Sequence, residues 1–186
     1  MLAAPAVAIG FTPVSCEQTP PPQLPRTPQD GASEYVKGFR LLPSWHEYVD
    51  VTGFRIGVPD GWTYQRIGTT VCFRDPDNLR FLSVDPDRNP AGNPIKACTT
   101  EAQRLVGSGK MPKYELVSLV PAALQPTAAD WEYSWLGPTG VRMHAKTRWS
   151  KSGTHAYAIS WATRDFEWQT NTAYFGAALS YFTPIQ

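Results

Sequence analysis

Few residues in this chain could carry acid–base or nucleophilic chemistry: three histidines (His46, His144, His155) and three cysteines (Cys16, Cys72, Cys98). A hydrolytic triad needs a Ser or Cys nucleophile, a His in reach and a third group that orients the imidazole. His144 and His155 fall inside strand-patterned segments, and no G-x-S-x-G elbow is present. A small hydrolase would have to use His155 or His144 with a nearby carboxylate, within hydrogen-bond reach. The plainer reading is one surface histidine and one at the edge of the core. Asp130, Glu132 and Asp165 supply carboxylates for glycoside chemistry, yet nothing in their spacing marks an acid/base pair. Asp75-Pro76-Asp77 and Asp85-Pro86-Asp87 bring acidic pairs close together, but a calcium loop also needs a sixth-position Gly and a distal Glu. They read as turns. Zinc spacing, a phosphate loop and a dinucleotide fingerprint are all missing, so no metal or cofactor is expected.

The cysteines have alternative readings. Cys72 on a strand and Cys98 on a helix would pair if the domain is exported, closing a loop of about 25 residues and adding about 3 kcal/mol in the chain-entropy model. Otherwise they are two buried thiols. Cys16 in Pro-Val-Ser-Cys has the small preceding residue of a lipid-acylation site, although Pro13 stands where an aliphatic residue is expected. It is read either as a lipidation site or as an unpaired thiol.

Binding is the other chemistry on offer. Seven Trp, eight Tyr and eight Phe are a heavy aromatic load, most of which belongs in the core of a sheet protein. Trp45, Trp62, Tyr64 and Trp168 fall near loop ends, where an exposed ring would anchor a ligand. Seventeen basic and sixteen acidic residues balance to +1, so nothing points to nucleic acid or to an anionic membrane surface.

Three stretches organise the chain. Residues 1–11 (MLAAPAVAIGF) are apolar but too short to span a bilayer, which takes about 20 residues. They are read as the remnant of a longer apolar anchor, or else as a weak signal-like segment. Residues 12–47 form a Pro-rich linker and lead-in, with Pro13, Pro20, Pro21, Pro22, Pro25 and Pro28 favouring extended polyproline. Residues 48–186 form one globular domain.

Within that domain Phe54, Ile56 and Val58 alternate with Arg55 and Gly57 as a half-buried strand, which Pro59 and Asp60-Gly61 stop. Strands follow at Tyr64–Ile67, Val71–Arg74 and Arg80–Val84. Asn93 caps a helix begun by Pro94, with Ile95, Cys98, Ala102, Leu105 and Val106 on one face. A strand at Tyr114–Val120 leads to a hairpin, Asp130–Leu136 with Val141–Trp149. A Pro138-Thr139-Gly140 loop sets Trp135 opposite Met143, Glu132 opposite Lys146 and Asp130 opposite Arg148, so charge and apolar matching agree on one register. Its basic stripe, Arg142, His144, Lys146 and Arg148, reads as a solvated, compensated face. The last strand, Thr154–Thr163, has His155, Tyr157, Ile159 and Trp161 on one side and small residues on the other. A C-terminal helix capped by Asp165, with Phe166, Thr170, Ala173, Tyr174, Ala177, Ala178 and Tyr181 inward, is expected over the small side. The fold class is α+β: a three-layer α/β/α sandwich around a mostly antiparallel sheet of six or seven strands.

GFRIGVPDGW, VCFRDPDNLRFLSVD, the capped helix, ADWEYSWL, HAYAISWAT and a terminal helix, in that order, resemble the PsbP/Mog1-like fold over Tyr48–Phe182. More narrowly, the chain is similar to the exported C-terminal domains of actinobacterial serine/threonine protein kinases and related secreted or lipid-anchored proteins. The resemblance implies a sensing or binding module without catalytic residues, lying outside the cell, tethered or secreted. It implies an unknown cell-envelope ligand or protein as partner, and membrane contact only through an N-terminal anchor. No Gly-rich loop, HRD or DFG is present, so any kinase activity lies outside this sequence.

Overall fold

In the computed structural model the described residues are Cys16, 35–36, 39–86, 93–123, 125 and 127–184. The expected apolar remnant at 1–11 lies outside them, as does all of the Pro-rich run at 12–33 except Cys16. A short pair, β1 (Tyr35–Val36) and β2 (Phe39–Arg40), precedes a hairpin of β3 (Trp45–Val49) and β4 (Arg55–Pro59). Next come β5 (Thr63–Ile67), β6 (Thr70–Arg74), β7 (Phe81–Asp85) and helix α1 (Pro94–Gly107). Then follow β8 (Glu115–Pro121), β9 (Ala128–Leu136), β10 (Arg142–Ser152) and β11 (His155–Arg164). A 3-10 turn at Asp165–Glu167 leads into helix α2 (Trp168–Ser180).

Seven strands make one antiparallel sheet in the order β5-β6-β7-β11-β10-β9-β8. The chain leaves β7 in the middle, crosses one face as α1, and returns from the far edge strand by strand until β11 closes on β7.

Side-chain alternation explains the layers. Trp131, Tyr133 and Trp135 of β9, with Ala145 of β10 and Ala156, Ala158 and Ala162 of β11, form one apolar face, which Cys98 and Leu105 of α1 cover. Burying each large ring contributes roughly 4–6 kcal/mol gross, as an upper bound. The opposite face presents Val71, Phe73, Leu82, Tyr157, Ile159 and Trp161. It packs against Phe175 and Ala178 of α2 and Phe54, Ile56 and Val58 from the hairpin.

Local chemistry fixes the ends. Asn93 Oδ1 accepts from the Ile95 and Lys96 amides at 2.9 and 3.2 Å, with Pro94 in the first turn, as a cap requires. The β9–β10 register is the expected one: Trp135 faces Met143, Lys146 Nζ is 3.2 Å from Glu132, and Arg148 forks onto Asp130 at 2.7 Å through both Nε and Nη2. Gly140 adopts φ 77° in the loop and Gly137 N donates to Val141 O.

Several expectations are corrected. Helix α1, not the C-terminal helix, lies over the small-residue side of β11, while α2 lies over Tyr157, Ile159 and Trp161. The inner face of α2 is Trp168, Asn171, Phe175 and Ala178, whereas Phe166 is 74% exposed. Asp165 does not cap α2: the cap position is Glu167, without a side-chain bond, and the Asp165 carboxylate goes to His144. Described structure packs against the domain from before residue 48 as well: β3 starts at Trp45 and Leu41 is buried beside Tyr181.

The cysteine pairing also differs. Cys72 is bonded to Cys16, and Cys98 is a free, buried thiol. All three sulfurs belong to the α1-side cluster, so Cys72 faces the expected direction but Cys16 reaches it. The Cys16 sulfur, spent on the disulfide, is not available for a thioether to lipid. The Cys16 carbonyl accepts from Arg74 Nη2, which gives that buried guanidinium a partner.

Candidate ligand-binding cleft

Two tight turns at one end of the β3–β4 hairpin build the cleft. In the first, Trp45 N donates to Leu42 O at 3.1 Å with Pro43 second and Ser44 third at φ 64°. In the other, Trp62 N donates to Pro59 O at 3.4 Å with Gly61 third at φ 76°. Both have the form of a type II turn, which needs a left-handed residue at the third position. Strand pairing sets Trp45 opposite Pro59, and Asp60 N donates to Ser44 O at 2.8 Å, so the turns are fastened together. Each turn therefore delivers one tryptophan to the same place.

Between them lies Trp161 of β11, 1% exposed, with Tyr174 of α2, 39% exposed, on the outer side. Trp45 and Trp161 are 10° from parallel at 6.4 Å between centroids, and Tyr174 stands 21° from each. Trp62 meets Trp161 at 5.2 Å and 37°. These rings wall a cleft of about 410 Å³, in the size range of small-molecule sites. Asp60 and Arg80 stand at its rim. Asp60 Oδ1 is 2.8 Å from His46 Nδ1, while Arg80 is anchored by its Nε to Asp75 Oδ2 at 2.9 Å.

Of the four aromatic residues expected to meet a ligand, Trp45 and Trp62 come together in this cleft. Tyr64 does not: its ring packs on Tyr48 at 5.0 Å and Phe73 at 6.1 Å, in the cluster under α2. Trp168 is 4% exposed, with its Nε1 donating to Glu132 at 2.9 Å. Trp161, Tyr174, Asp60 and Arg80 were not expected here. Trp161 lies on the apolar side of its strand, which signals core, and Tyr174 lies on the expected inner face of its helix.

The histidines are placed as a bridge and a bystander. His144 is 7% exposed, with Nδ1 2.8 Å from Asp165 Oδ1 and Nε2 3.1 Å from Glu132 Oε1. Its ring stacks on Trp168 at 4.2 Å and 13°. Both ring nitrogens face carboxylates, so neither is left to take a proton from a nucleophile. Burial alone would raise the Glu132 carboxyl, but the Lys146, His144 and Trp168 hydrogen bonds and the Lys146 charge outweigh it and hold it below the ordinary range. His155 is half-buried with Tyr157 as its ring neighbour at 6.4 Å.

Asp75 and Asp85, one from each acidic turn, spend oxygens within the protein. Asp75 accepts from the Leu79 and Arg80 amides, and Asp85 from the Thr69 and Thr70 hydroxyls at 3.0 and 2.8 Å. No metal-ligating cluster of three or more acidic, His or Cys residues occurs among the described residues. A second groove, about 500 Å³, lies between α1 and β8, but there Trp131 and Tyr114 spend their polar atoms on each other at 3.1 Å. The aromatic cleft alone combines stacked rings with charged groups of both signs among these two.

The seven-stranded antiparallel sheet with its two covering helices is the PsbP/Mog1-like fold. A family model described as "Serine/threonine kinase C-terminal domain" matches residues 46–184, and the chain belongs to that family. Among solved structures it is similar to cyanobacterial PsbP (CyanoP) from Synechocystis sp. PCC 6803, at 19% identity, TM-score 0.63, covering 77% of this chain and 94% of that one. It is also similar to the Ran-binding protein Mog1p of Saccharomyces cerevisiae, at 12% identity, TM-score 0.54, covering 76% and 96%. At such identities the likeness is one of fold. No curated protein gives a significant match.

Proposed function

We propose that this chain is a non-enzymatic recognition module working outside the cytoplasmic membrane, taking a cell-envelope ligand or protein in the cleft walled by Trp45 and Trp62. The observation that carries this reading is the cleft's construction: two interlocked turns hold two tryptophans over a sheet-borne third, with an acid and a base at the rim. Such rigid placement of rings suits binding, because little side-chain entropy is left to lose.

The Cys16–Cys72 disulfide supports an oxidising compartment, where such bonds persist. Membership in a kinase C-terminal family supports a sensor whose output is a kinase domain outside this sequence. Membrane contact, in this reading, is made only through an N-terminal anchor, and nucleic acid is no partner. The engagement of both His144 nitrogens argues against a hydrolase.

The test adds a soluble enzymatic digest of cell envelope to the purified chain and follows tryptophan fluorescence, while chromatography follows the digest. The expected result is a saturable fluorescence change, lost in Trp62→Ala, with the digest unaltered. A turnover abolished by His144→Gln would overturn the reading, as would the lack of any fluorescence response.

A further inference from the structure

We propose that the cleft takes a pyranose ring of a saccharide, its flat face laid on the aromatic platform and its hydroxyls held by Asp60 and Arg80. The proposal rests on the cleft being the module's binding site and names the class of ligand for it.

Ring orientation decides between ligand classes. A cage for an alkylammonium ion turns several ring faces toward one point. Here the contacting pairs lie 10°, 21°, 21° and 37° from parallel, the first three of them stacked, so the ring faces share one direction and do not close around a point. Faces that share a direction offer their outer side to a flat object. Aromatic faces carry negative potential, and the C–H bonds on one face of a pyranose present weakly positive hydrogens to it.

The rim decides further. Asp60 Oδ1 is held by His46, and Oδ2 has no partner among the described residues. Arg80 is fixed through Nε, and no hydrogen bond holds its Nη atoms among the described residues. A hydroxyl both donates and accepts, so neighbouring sugar hydroxyls satisfy a carboxylate and a guanidinium together. A phosphate would meet the Asp60 carboxylate as well as the Arg80 guanidinium at this rim, whereas neutral hydroxyls satisfy both.

The floor supplies another observation. The Trp161 Nε1–H is buried without an acceptor among the described residues, a cost that folded proteins seldom leave standing. Water does not reach it as the rings stand. A shift of Tyr174, the 39% exposed ring beside it that belongs to neither turn, would let a ligand oxygen serve as that acceptor.

The experiment is calorimetric titration of the disulfide-intact chain with the β-1,4-linked tetramer of N-acetylglucosamine, cellotetraose and maltotetraose, and with AMP and choline as non-saccharide probes. At least one saccharide should bind saturably. Its affinity should fall about tenfold or more in Trp62→Ala and in the exposed, conservative Asp60→Asn, as for a central contact. Phe166→Ala, outside the cleft, should bind like the parent. The saccharide assignment is overturned if none of the three binds up to about 10 mM, tenfold weaker than a millimolar affinity, or if binding ignores both cleft substitutions. Binding of AMP or choline instead of the sugars also overturns it, while leaving the cleft standing as the binding site. Silence toward these probes and toward the envelope digest alike removes both.

Discussion

Trp45 and Trp161 lie 10° from parallel with centroids 6.4 Å apart, although one belongs to the hairpin and the other to the central sheet. The contact clamps the hairpin to the sheet and makes the floor and wall of the cleft one body. Trp45→Ala should lower affinity for whatever the cleft binds and also destabilise the fold by about 3–5 kcal/mol, as for truncation of a large packed ring. Paired denaturation and titration curves check both effects. Trp62, on a turn at the edge, should show the binding loss with a smaller stability loss.

Gly57 is where Tyr181 reaches Trp45. A Cβ at Gly57 would stand 2.6 Å from Tyr181 Cδ2 and 2.9 Å from Leu41 Cδ2, and the Tyr181 ring meets Trp45 edge-on at 5.9 Å. Gly57→Ala should cost about 1–3 kcal/mol through overpacking. The Tyr181 displacement should also change the near-ultraviolet circular dichroism of the aromatic cluster. An unchanged melting curve and spectrum would contradict this packing.

Acid should loosen the hairpin first. Burial alone would raise the Asp50 carboxyl, but hydrogen bonds from Thr52 and Tyr48 and the Arg66 guanidinium outweigh it and hold it below the ordinary value. A carboxyl with a lower pKa folded than unfolded binds more protons unfolded, so its contribution is complete above the unfolded value of about 3.9 and is lost as pH falls through the folded one. Glu132 behaves likewise below its unfolded value of about 4.3. Asp50→Asn should lower stability at neutral pH and flatten the acid limb of stability against pH, read by urea unfolding at several pH values.

Thiol counting tests the cysteine arrangement. Burial first, then the nearby Asp130 charge, pushes the Cys98 thiol up to about 12, so it should resist iodoacetamide in the native protein at pH 8. Denaturation without reductant should expose one reactive thiol, and denaturation with reductant all three. Reducing the Cys16–Cys72 bond, which spans 56 residues, should cost about 4 kcal/mol in the chain-entropy model. Two reactive thiols in the unreduced, denatured chain would contradict an intact disulfide within the chain, since any such bond among three cysteines leaves one.

His144 should prove structural. His144→Gln leaves Glu132 and Asp165 short of a partner and should cost about 1–3 kcal/mol, the range for a disturbed buried hydrogen bond. Ligand binding in the cleft should persist. A loss of catalytic turnover in this variant would reverse the assignment.

The sequence announced its local geometry well and its distant contacts poorly. The Gly140 loop and the Glu132–Lys146 and Asp130–Arg148 pairs fix the β9–β10 register because turn length and charge are both written in neighbouring residues. Asn93-Pro94 is equally local. Alternation along β11 separates Tyr157, Ile159 and Trp161 from Ala156, Ala158 and Ala162, but not which helix covers which set. The alanine side is filled with help from Trp131, Tyr133 and Trp135 on β9, two strands away. Cys16 pairs across 56 residues from within a Pro-rich stretch, a contact no periodicity encodes. The cleft is legible by halves: loop-end position flags Trp45 and Trp62, whereas Trp161, 1% exposed, carries the signature of a core residue and lines the cleft only because both turns deliver their rings against it.

The most direct test of recognition at this cleft uses the seven indole N–H signals of the folded chain, one from each tryptophan, in a nitrogen–proton correlation spectrum. On titration with the soluble envelope digest, the Trp45, Trp62 and Trp161 signals should shift together and saturate, while those of Trp131, Trp135, Trp149 and Trp168 stay in place. Shifts confined to the second group, or no shift in any of the seven, would contradict it.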